Sequence, residues 1–334
     1  MDLNTAWFLV IAFFFTGYFV LEGFDFGVGM LLPFVGGDTP EDNDRRRTAQ
    51  VATIGPVWDG NEVWLITAGA SLFAAFPEWY ATLFSWLYLP LLLILAALIV
   101  RGVALEWRGK VDTPRWRARC DAGIAFGSYV PAVVWGIAFT NLVTGAPLDA
   151  SGRVTSFSEG FLGLFSPLGL LGGVAFALLF ALHGAFFVGF KAEEPLRGRA
   201  HSLATRRITA PAVLAAAAYL LWLQNDAGAR WTWAALAIAL VALVSSVLAA
   251  LRGRDGLAFG LTALAVTAAV VLIFGSLFPE VLPSIGAHPG WDIYSASSSP
   301  YTLKVMSWAA LVMVPLVVVA QGWSYWAFRK RVTV

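Results

Sequence analysis

The sequence is poor in charged residues and in the side chains that usually bind metals. Only 13% of its 334 residues are charged, whereas a soluble domain carries about 25%. The single cysteine, Cys120, excludes an internal disulfide and any cysteine-ligated cluster. The three histidines, His183, His201 and His288, show no H-x-x-H spacing. These shortages argue against a soluble enzyme and against a metal centre in this chain.

What the sequence has instead is apolar residues, which make up 59% of the chain and fall in long runs. Runs of roughly 20 apolar residues are typical of helices that cross a membrane. The sequence therefore predicts an all-α, polytopic membrane protein that forms a single integral membrane domain over residues 1–334. The nine predicted spanning helices cover residues 6–34, 51–76, 79–101, 118–145, 160–190, 203–224, 231–251, 256–278 and 303–328.

Lysine and arginine are distributed unevenly between the two sets of loops. Of the 22 basic residues, all except Arg153, Arg230 and Lys304 fall on one side of the predicted helices, with Arg101 assigned to the end of the third. The positive-inside rule then places the N-terminus outside and the C-terminus in the cytoplasm. Because the basic residues are sorted by loop and form no patch, no nucleic-acid partner is expected.

Four carboxyl groups and an asparagine lie inside the first two predicted helices. Glu22 and Asp25 belong to helix one, and Asp59, Asn61 and Glu62 belong to helix two. Each acidic pair is spaced i,i+3, so its members share a helix face, and the short connection should bring the four carboxyls into one layer. Acids at this depth are kept where they face a partner, a cavity or a proton path. They can conduct protons, or they can hydrogen-bond and pair with an arginine of a partner subunit; both interpretations stay open.

His183 is the only histidine inside a predicted helix. A b-type haem commonly takes two axial ligands from helices, and a single histidine cannot supply both. We expect His183 to be a structural or interface group and the chain to bind no cofactor directly. The same structural or interface role is expected for Asn61 and Trp58.

Six segments carry a resemblance to one known family. Residues 22–30 (EGFDFGVGM) and 58–69 (WDGNEVWLITAG) resemble two stretches of subunit II of cytochrome bd quinol oxidases. Four further segments resemble that family in the same order along the chain: 73–77 (FAAFP), 182–185 (LHGA), 278–284 (FPEVLPS) and 296–306 (ASSSPYTLKVM).

The resemblance implies a heterodimeric terminal oxidase of the bacterial cytoplasmic (inner) membrane, which oxidises quinol and reduces oxygen to water. It implies that two b-type haems, one d-type haem and the quinol site belong to the partner, subunit I, and that subunit II carries no haem. Membrane lipid is a further expected partner, and the resemblance leaves room for a small single-helix subunit. The isolated chain is not expected to be catalytic.

The resemblance also assigns candidate roles to individual residues. Asp59 is a candidate for a path that draws protons from the cytoplasm, with Glu62, Asp25 and Glu22 as its neighbours. Trp64 matches a position near which oxygen is thought to enter.

Two other classes of protein remain compatible with the intramembrane acids. A secondary transporter is expected to carry such groups as well, and Pro56 and Gly60 flank Asp59 as they would in a broken helix. The sequence shows none of the internal repeats that transporters often have. A pure assembly scaffold is the third interpretation. An oxidase subunit would be distinguished from both by purifying with a haem-bearing partner.

Overall fold

The chain is built almost entirely of helices. A computed structural model describes residues 2–333, which contain twelve α-helices and one two-stranded antiparallel ribbon. The helices are α1 (Leu3–Leu31), α2 (Pro40–Ile54), α3 (Trp58–Ala75), α4 (Pro77–Trp86), α5 (Tyr88–Trp107), α6 (Pro114–Thr144), α7 (Pro167–Lys191), α8 (Leu196–Leu203), α9 (Thr209–Ala227), α10 (Thr232–Leu251), α11 (Asp255–Leu277) and α12 (Pro300–Ala327), and the strands are β1 (Glu280–Leu282) and β2 (Trp291–Asp292).

The helical, membrane-spanning class predicted from the sequence is confirmed. Within residues 2–333, eight helical segments are long and apolar enough to cross a membrane. They are α1 with the turn after it, α5, α6, α7, the α8–α9 segment, α10, α11 and α12. The predicted count was nine, and the segment that falls short is the one expected over residues 51–76.

Two predicted helices are each divided in the structure. The expected helix 51–76 breaks at Gly55, Pro56 and Val57, so that α2 ends before this turn and α3 begins after it. Proline lacks the backbone N–H that a helix interior requires, and its ring crowds the preceding turn. The expected helix 79–101 is likewise divided at Leu87, and its second part, α5, continues to Trp107. The prediction that this helix ends at Arg101 was therefore wrong.

Helices α1, α6 and α7 form the centre of the bundle. The backbones of α1 and α7 approach so closely that no side chain fits between them at Gly27. A Cβ atom on Gly27 would lie 2.0 Å from the carbonyl oxygen of Phe180. A Cβ atom on Gly184 would lie 2.5 Å from Gly27 itself. Glycines allow helix backbones in membranes to approach in this way, and α1 therefore has neighbours along most of its length.

Helix α12 lies at the edge of the bundle. Of its 28 residues only Leu303 is buried. Its N-terminal end is attached to α1, because the Trp7 indole N–H points at the Leu303 carbonyl (3.3 Å) and the Ser307 hydroxyl (3.1 Å). Beyond its other end, the Val332 N–H donates to the Lys191 carbonyl at 2.8 Å. An apolar helix left so bare is suited to contact lipid or another membrane protein.

A network of charged side chains joins the ends of α2, α5 and α6. The Arg108 guanidinium contacts Asp121 at 2.6 Å, Asp44 at 3.1 Å and the Thr48 hydroxyl at 2.8 Å. Arg47 also reaches Asp121, at 3.3 Å. These contacts fix α2 against the α5–α6 hairpin and therefore set the position from which α3 enters the bundle.

Candidate functional site: a buried cluster of charges

Arg101 is at the centre of the candidate site. It lies in α5 between apolar residues, is completely buried, and its Nη1 atom forms an ion pair with Glu22 of α1. The same nitrogen is 3.3 Å from Glu62 Oε1 of α3. The guanidinium carbon also lies 5.1 Å from the ring centre of Phe26, a distance at which an aromatic face attracts a cation. One guanidinium therefore joins three helices.

Asp25 is the third carboxyl group of the cluster. It is completely buried one helical turn from Glu22, and its Oδ2 atom accepts a hydrogen bond of 2.7 Å from the Asn61 amide. Its other oxygen, Oδ1, and Glu22 Oε2 are buried without a protein partner. An ionised carboxylate only accepts hydrogen bonds, whereas a protonated one donates. These two oxygens are therefore positions where a proton or a water molecule can be taken up.

The charges of this acid cluster, which we define as Glu22, Asp25, Glu62 and Arg101, do not balance. Three carboxyl groups face one guanidinium, and the Glu62 side chain alone retains access to the surface, at 22% exposure. Burying a charge is costly unless it is paired and hydrogen-bonded. Uptake of a proton would offset the excess negative charge of the cluster, and the partly exposed Glu62 is the member that reaches the surface of the chain.

Asp59 does not join this cluster. It is exposed, and across residues 2–333 the structure gives it no hydrogen bond or ion pair. The reason is the turn at Pro56: α3 begins at Trp58, so Asp59 lies in the first turn of the helix on its outer side. Three of the four carboxyls are thus brought together, whereas Asp59 lies one turn from Glu62 without contacting the arginine. An acid in this first turn interacts favourably with the helix dipole.

Trp64 lies between α3 and α1. Its ring packs at 5.5 Å from the ring of Phe13 and 6.1 Å from that of Phe14, measured between ring centres. A Cβ atom on Gly17 would lie only 2.0 Å from the Trp64 ring, so glycine is what allows this approach. Trp64 also faces a small apolar cavity of about 80 Å³ between α3 and α12. An apolar cavity of this kind admits a small neutral molecule more readily than an ion.

His183 and Trp58 occupy different surroundings. His183 is completely buried, with Nε2 3.1 Å from the Val20 carbonyl and Nδ1 2.7 Å from the Thr262 hydroxyl. A neutral ring that donates from Nε2 to the Val20 carbonyl would accept at Nδ1 from the Thr262 hydroxyl, which also lies 2.9 Å from the Phe259 carbonyl. Both ring nitrogens are thus engaged within the protein. Trp58 packs over Gly102, which follows Arg101 in the chain; a Cβ atom on Gly102 would lie 3.4 and 3.5 Å from two atoms of the Trp58 ring.

Three residues of the site were missed by sequence reasoning. Arg101 was assigned to a helix end, although apolar residues flank it on both sides in Val100–Arg101–Gly102–Val103. Gln321 and Tyr325, which each donate a hydrogen bond of 2.8 Å to Asn61 Oδ1, were not among the predicted residues, although they are polar and spaced i,i+4 in the last apolar helix. The signal available in the sequence was a single arginine within an apolar run, in a chain whose other apolar runs contain acids. Such an arginine is expected to pair with those acids inside the bundle. Among residues 2–333 no group of three His, Cys, Asp or Glu side chains is arranged to hold a metal ion.

Fold and site together define a polytopic helical membrane protein with a charged cluster inside the bundle. The sequence of residues 3–328 matches the family model described as cytochrome bd terminal oxidase subunit II. The chain belongs to this family.

Individual relatives agree with that assignment over nearly the whole chain. The chain is 41% identical to the cytochrome bd ubiquinol oxidase subunit 2 of Bacillus subtilis (strain 168), covering 99% of this chain and 97% of the relative. It is 32% identical to the cytochrome bd-I ubiquinol oxidase subunit 2 of Escherichia coli (strain K12), over 99% and 95%. A chain of the bd oxidase structure from Geobacillus thermodenitrificans shares the fold, with a TM-score of 0.74, 19% identity and 96% coverage of each chain.

Proposed function

We propose that the chain is the haem-free subunit of a cytochrome bd-type quinol:oxygen oxidoreductase, in which it supports a haem-bearing subunit I and delivers protons from the cytoplasm. The observation that carries the proposal is the acid cluster, three carboxyl groups around one arginine inside a membrane protein of this family. Reduction of oxygen to water consumes protons, and carboxyl groups held at membrane depth are suited to supply them.

The arrangement supports a route with an entrance and an interior. Asp59 lies on the surface at the start of α3, Glu62 is partly exposed one turn further, and Glu22 and Asp25 are enclosed beyond it. In this proposal Asp59 and Glu62 collect protons at the contact with subunit I, and Glu22 and Asp25 form the inner stage. Arg101 holds the carboxyl groups in place, since it contacts Glu22 and Glu62 at once.

The topology proposed for the chain has nine crossings in one integral membrane domain. The divided segment α2–α3 supplies the crossing that the eight long apolar segments lack. With the N-terminus outside and the C-terminus in the cytoplasm, the basic residues keep to the cytoplasmic side as the positive-inside rule requires. Glu22 and Asp25 then lie in the cytoplasmic half of α1.

The surface proposed for subunit I is the face of α3 and α12. An exposed carboxyl such as Asp59 is unfavourable against lipid, and α12 is bare along nearly its whole length. A partner that covers this face removes Asp59 from lipid. It would also enclose the apolar cavity beside Trp64, which is the proposed oxygen entry. Quinol and the haems are assigned to subunit I, and no step in this chain requires them.

The first prediction tests proton delivery by single substitutions in the complete complex. Asp25→Asn and Glu62→Gln keep size and hydrogen-bonding capacity but remove a titratable proton. We expect oxygen consumption per haem to fall about tenfold or more, because a positioned proton-transfer group typically contributes about a hundredfold or more. The measurement is turnover divided by haem content, so that losses in assembly cancel.

Asp59→Asn extends the same test to the entrance, where a smaller decrease is expected because Glu62 is also accessible. Asp226→Asn serves as the matched control, since Asp226 is an exposed acid of α9. Unchanged turnover per haem in all three site variants would contradict proton delivery and leave the acids with a structural role. Purification without any haem-bearing partner would favour the transporter instead.

A further inference from the structure

Two polar side chains attach the otherwise bare helix α12 to the acid cluster. The Gln321 amide nitrogen and the Tyr325 hydroxyl both lie 2.8 Å from Asn61 Oδ1. They are four residues apart and so project from one face of α12. The two helices fit closely at this point: a Cβ atom on Gly60 would lie 3.1 Å from the Gln321 side-chain oxygen, which would have to shift slightly to admit it.

Asn61 transmits this contact to Asp25. Its side chain is completely buried, its oxygen accepts from Gln321 and Tyr325, and its Nδ2 atom donates to Asp25 Oδ2 at 2.7 Å. An amide can turn by half a rotation and exchange its donor for its acceptor. In the turned state, the Asn61 oxygen would face an ionised Asp25 carboxylate, which only accepts hydrogen bonds. The Asn61 NH2 group would then keep its contacts with α12 only if the Gln321 amide turned as well and the Tyr325 hydroxyl changed from donor to acceptor. By donating to the Asn61 oxygen, Gln321 and Tyr325 therefore favour the orientation in which Nδ2 donates to Asp25.

We propose that Gln321 and Tyr325 are positioning residues for proton delivery: they fix the Asn61 amide so that it presents a donor to Asp25. This inference rests on the proposed function of the acid cluster. Gln321 and Tyr325 act through Asn61 and do not pass protons themselves, since an amide stands between the Tyr325 hydroxyl and the Asp25 carboxyl. The helix proposed to face subunit I thereby sets the hydrogen bonding of a carboxyl group inside the bundle.

The test compares two ways of loosening α12 in the complete oxidase complex. Gln321→Met with Tyr325→Phe removes both donors to Asn61 and retains side-chain volume. Ser307→Ala is the matched control, because it removes a polar contact of α12 near its other end, where Trp7 keeps the Leu303 carbonyl as a partner. Asp25→Asn is measured beside them. The readouts are turnover per haem and the solvent deuterium isotope effect on that turnover.

We expect the double variant to lose about fivefold in turnover per haem, the order that loss of one net hydrogen bond corresponds to. Its solvent isotope effect should rise above that of the parent, because proton transfer at Asp25 becomes rate-limiting. Ser307→Ala should match the parent in both readouts. The single variant Tyr325→Phe, which leaves Gln321 bonded to Asn61, should fall between the parent and the double variant.

Two results would overturn the inference. One is a double variant with the turnover and isotope effect of the parent while Asp25→Asn is impaired, which would refute positioning and leave proton delivery intact. The other is an equal loss in Ser307→Ala with an unchanged isotope effect, which would show that α12 acts only through general packing. Parent-like turnover in Asp25→Asn itself would instead refute the proposed function on which positioning depends.

Discussion

Arg101 shows how much a single residue decides in this protein. Its guanidinium contacts Glu22 and Glu62 on two other helices and is completely buried. Buried ion pairs often add little net stability, because both charges lose their hydration. Removing one partner is a different matter, since the remaining charges stay buried without compensation. Once the carboxyl groups are buried, Arg101 is needed to compensate their charge, even if the ion pair as a whole adds little to the free energy of folding.

The prediction at this scale concerns Arg101→Met. Loss of one partner of a buried pair costs about 3–5 kcal/mol, so we expect little assembled complex, measured as haem-bearing oxidase per amount of membrane protein. The double variant Arg101→Met with Glu22→Gln should recover part of this amount, because it removes one of the uncompensated charges. Arg206→Met is the control, since Arg206 is exposed at the surface. Parent-like amounts of Arg101→Met complex would show that the pair is dispensable.

At the scale of elements, the break between α2 and α3 determines which acids go inside. Because α3 begins at Trp58, Asn61 and Trp64 turn toward α1 whereas Asp59 stays on the surface. The contact between α3 and α1 depends on Gly17, over which the Trp64 ring lies. The register of α3 against α1 is therefore set by the Trp64 ring, which packs directly on the backbone of α1 at Gly17.

Gly17→Ala tests this contact. The added methyl group would lie 2.0 Å from the Trp64 ring, so one of the two helices must move. Forcing an extra methyl into a packed site typically costs about 1–3 kcal/mol, and we expect a lower melting temperature of the purified complex. Gly69→Ala is the control on α3, because nothing lies within 4 Å of its added Cβ atom. Equal melting temperatures for the two variants would contradict the proposed register.

At the scale of the whole molecule, one face of the chain is largely exposed. Helix α12 has one fully buried residue, Leu303, and Asp59 is exposed on α3. Association of helices in membranes relies on close packing and polar contacts. The exposed surface of α12 is available for packing, and Asp59 is available for a polar contact. The molecule is in this sense built to be one part of a larger assembly.

The corresponding prediction is that subunit I expressed without this chain has a disturbed or missing d-type haem signal. The physical reason is that the surface of subunit I proposed to lie against α3 and α12 would be left to lipid. Visible absorption spectra of membranes with one or both subunits measure this. The control is co-expression of both chains, which should restore the signal. A fully active subunit I on its own would contradict this prediction.

The sequence by itself determined the class of the protein and the identity of most residues of the site. Long apolar runs define spanning helices because lipid leaves the backbone no other way to satisfy its hydrogen bonds. The few acids within them stand out for the same reason, so the sequence alone singles out Glu22, Asp25 and Glu62. The motif around Trp58 and Asn61 was also sufficient to indicate the family.

Only the tertiary structure decided which of these residues meet. The sequence places Arg101 next to a helix end and Gln321 and Tyr325 more than 250 positions from Asn61, and hydropathy carries no information about such distant pairs. Their meeting depends on the break before α3, the extension of α5 and the placement of α12. Each of these results from packing between helices, and packing depends on shapes that a linear pattern of apolar residues does not specify.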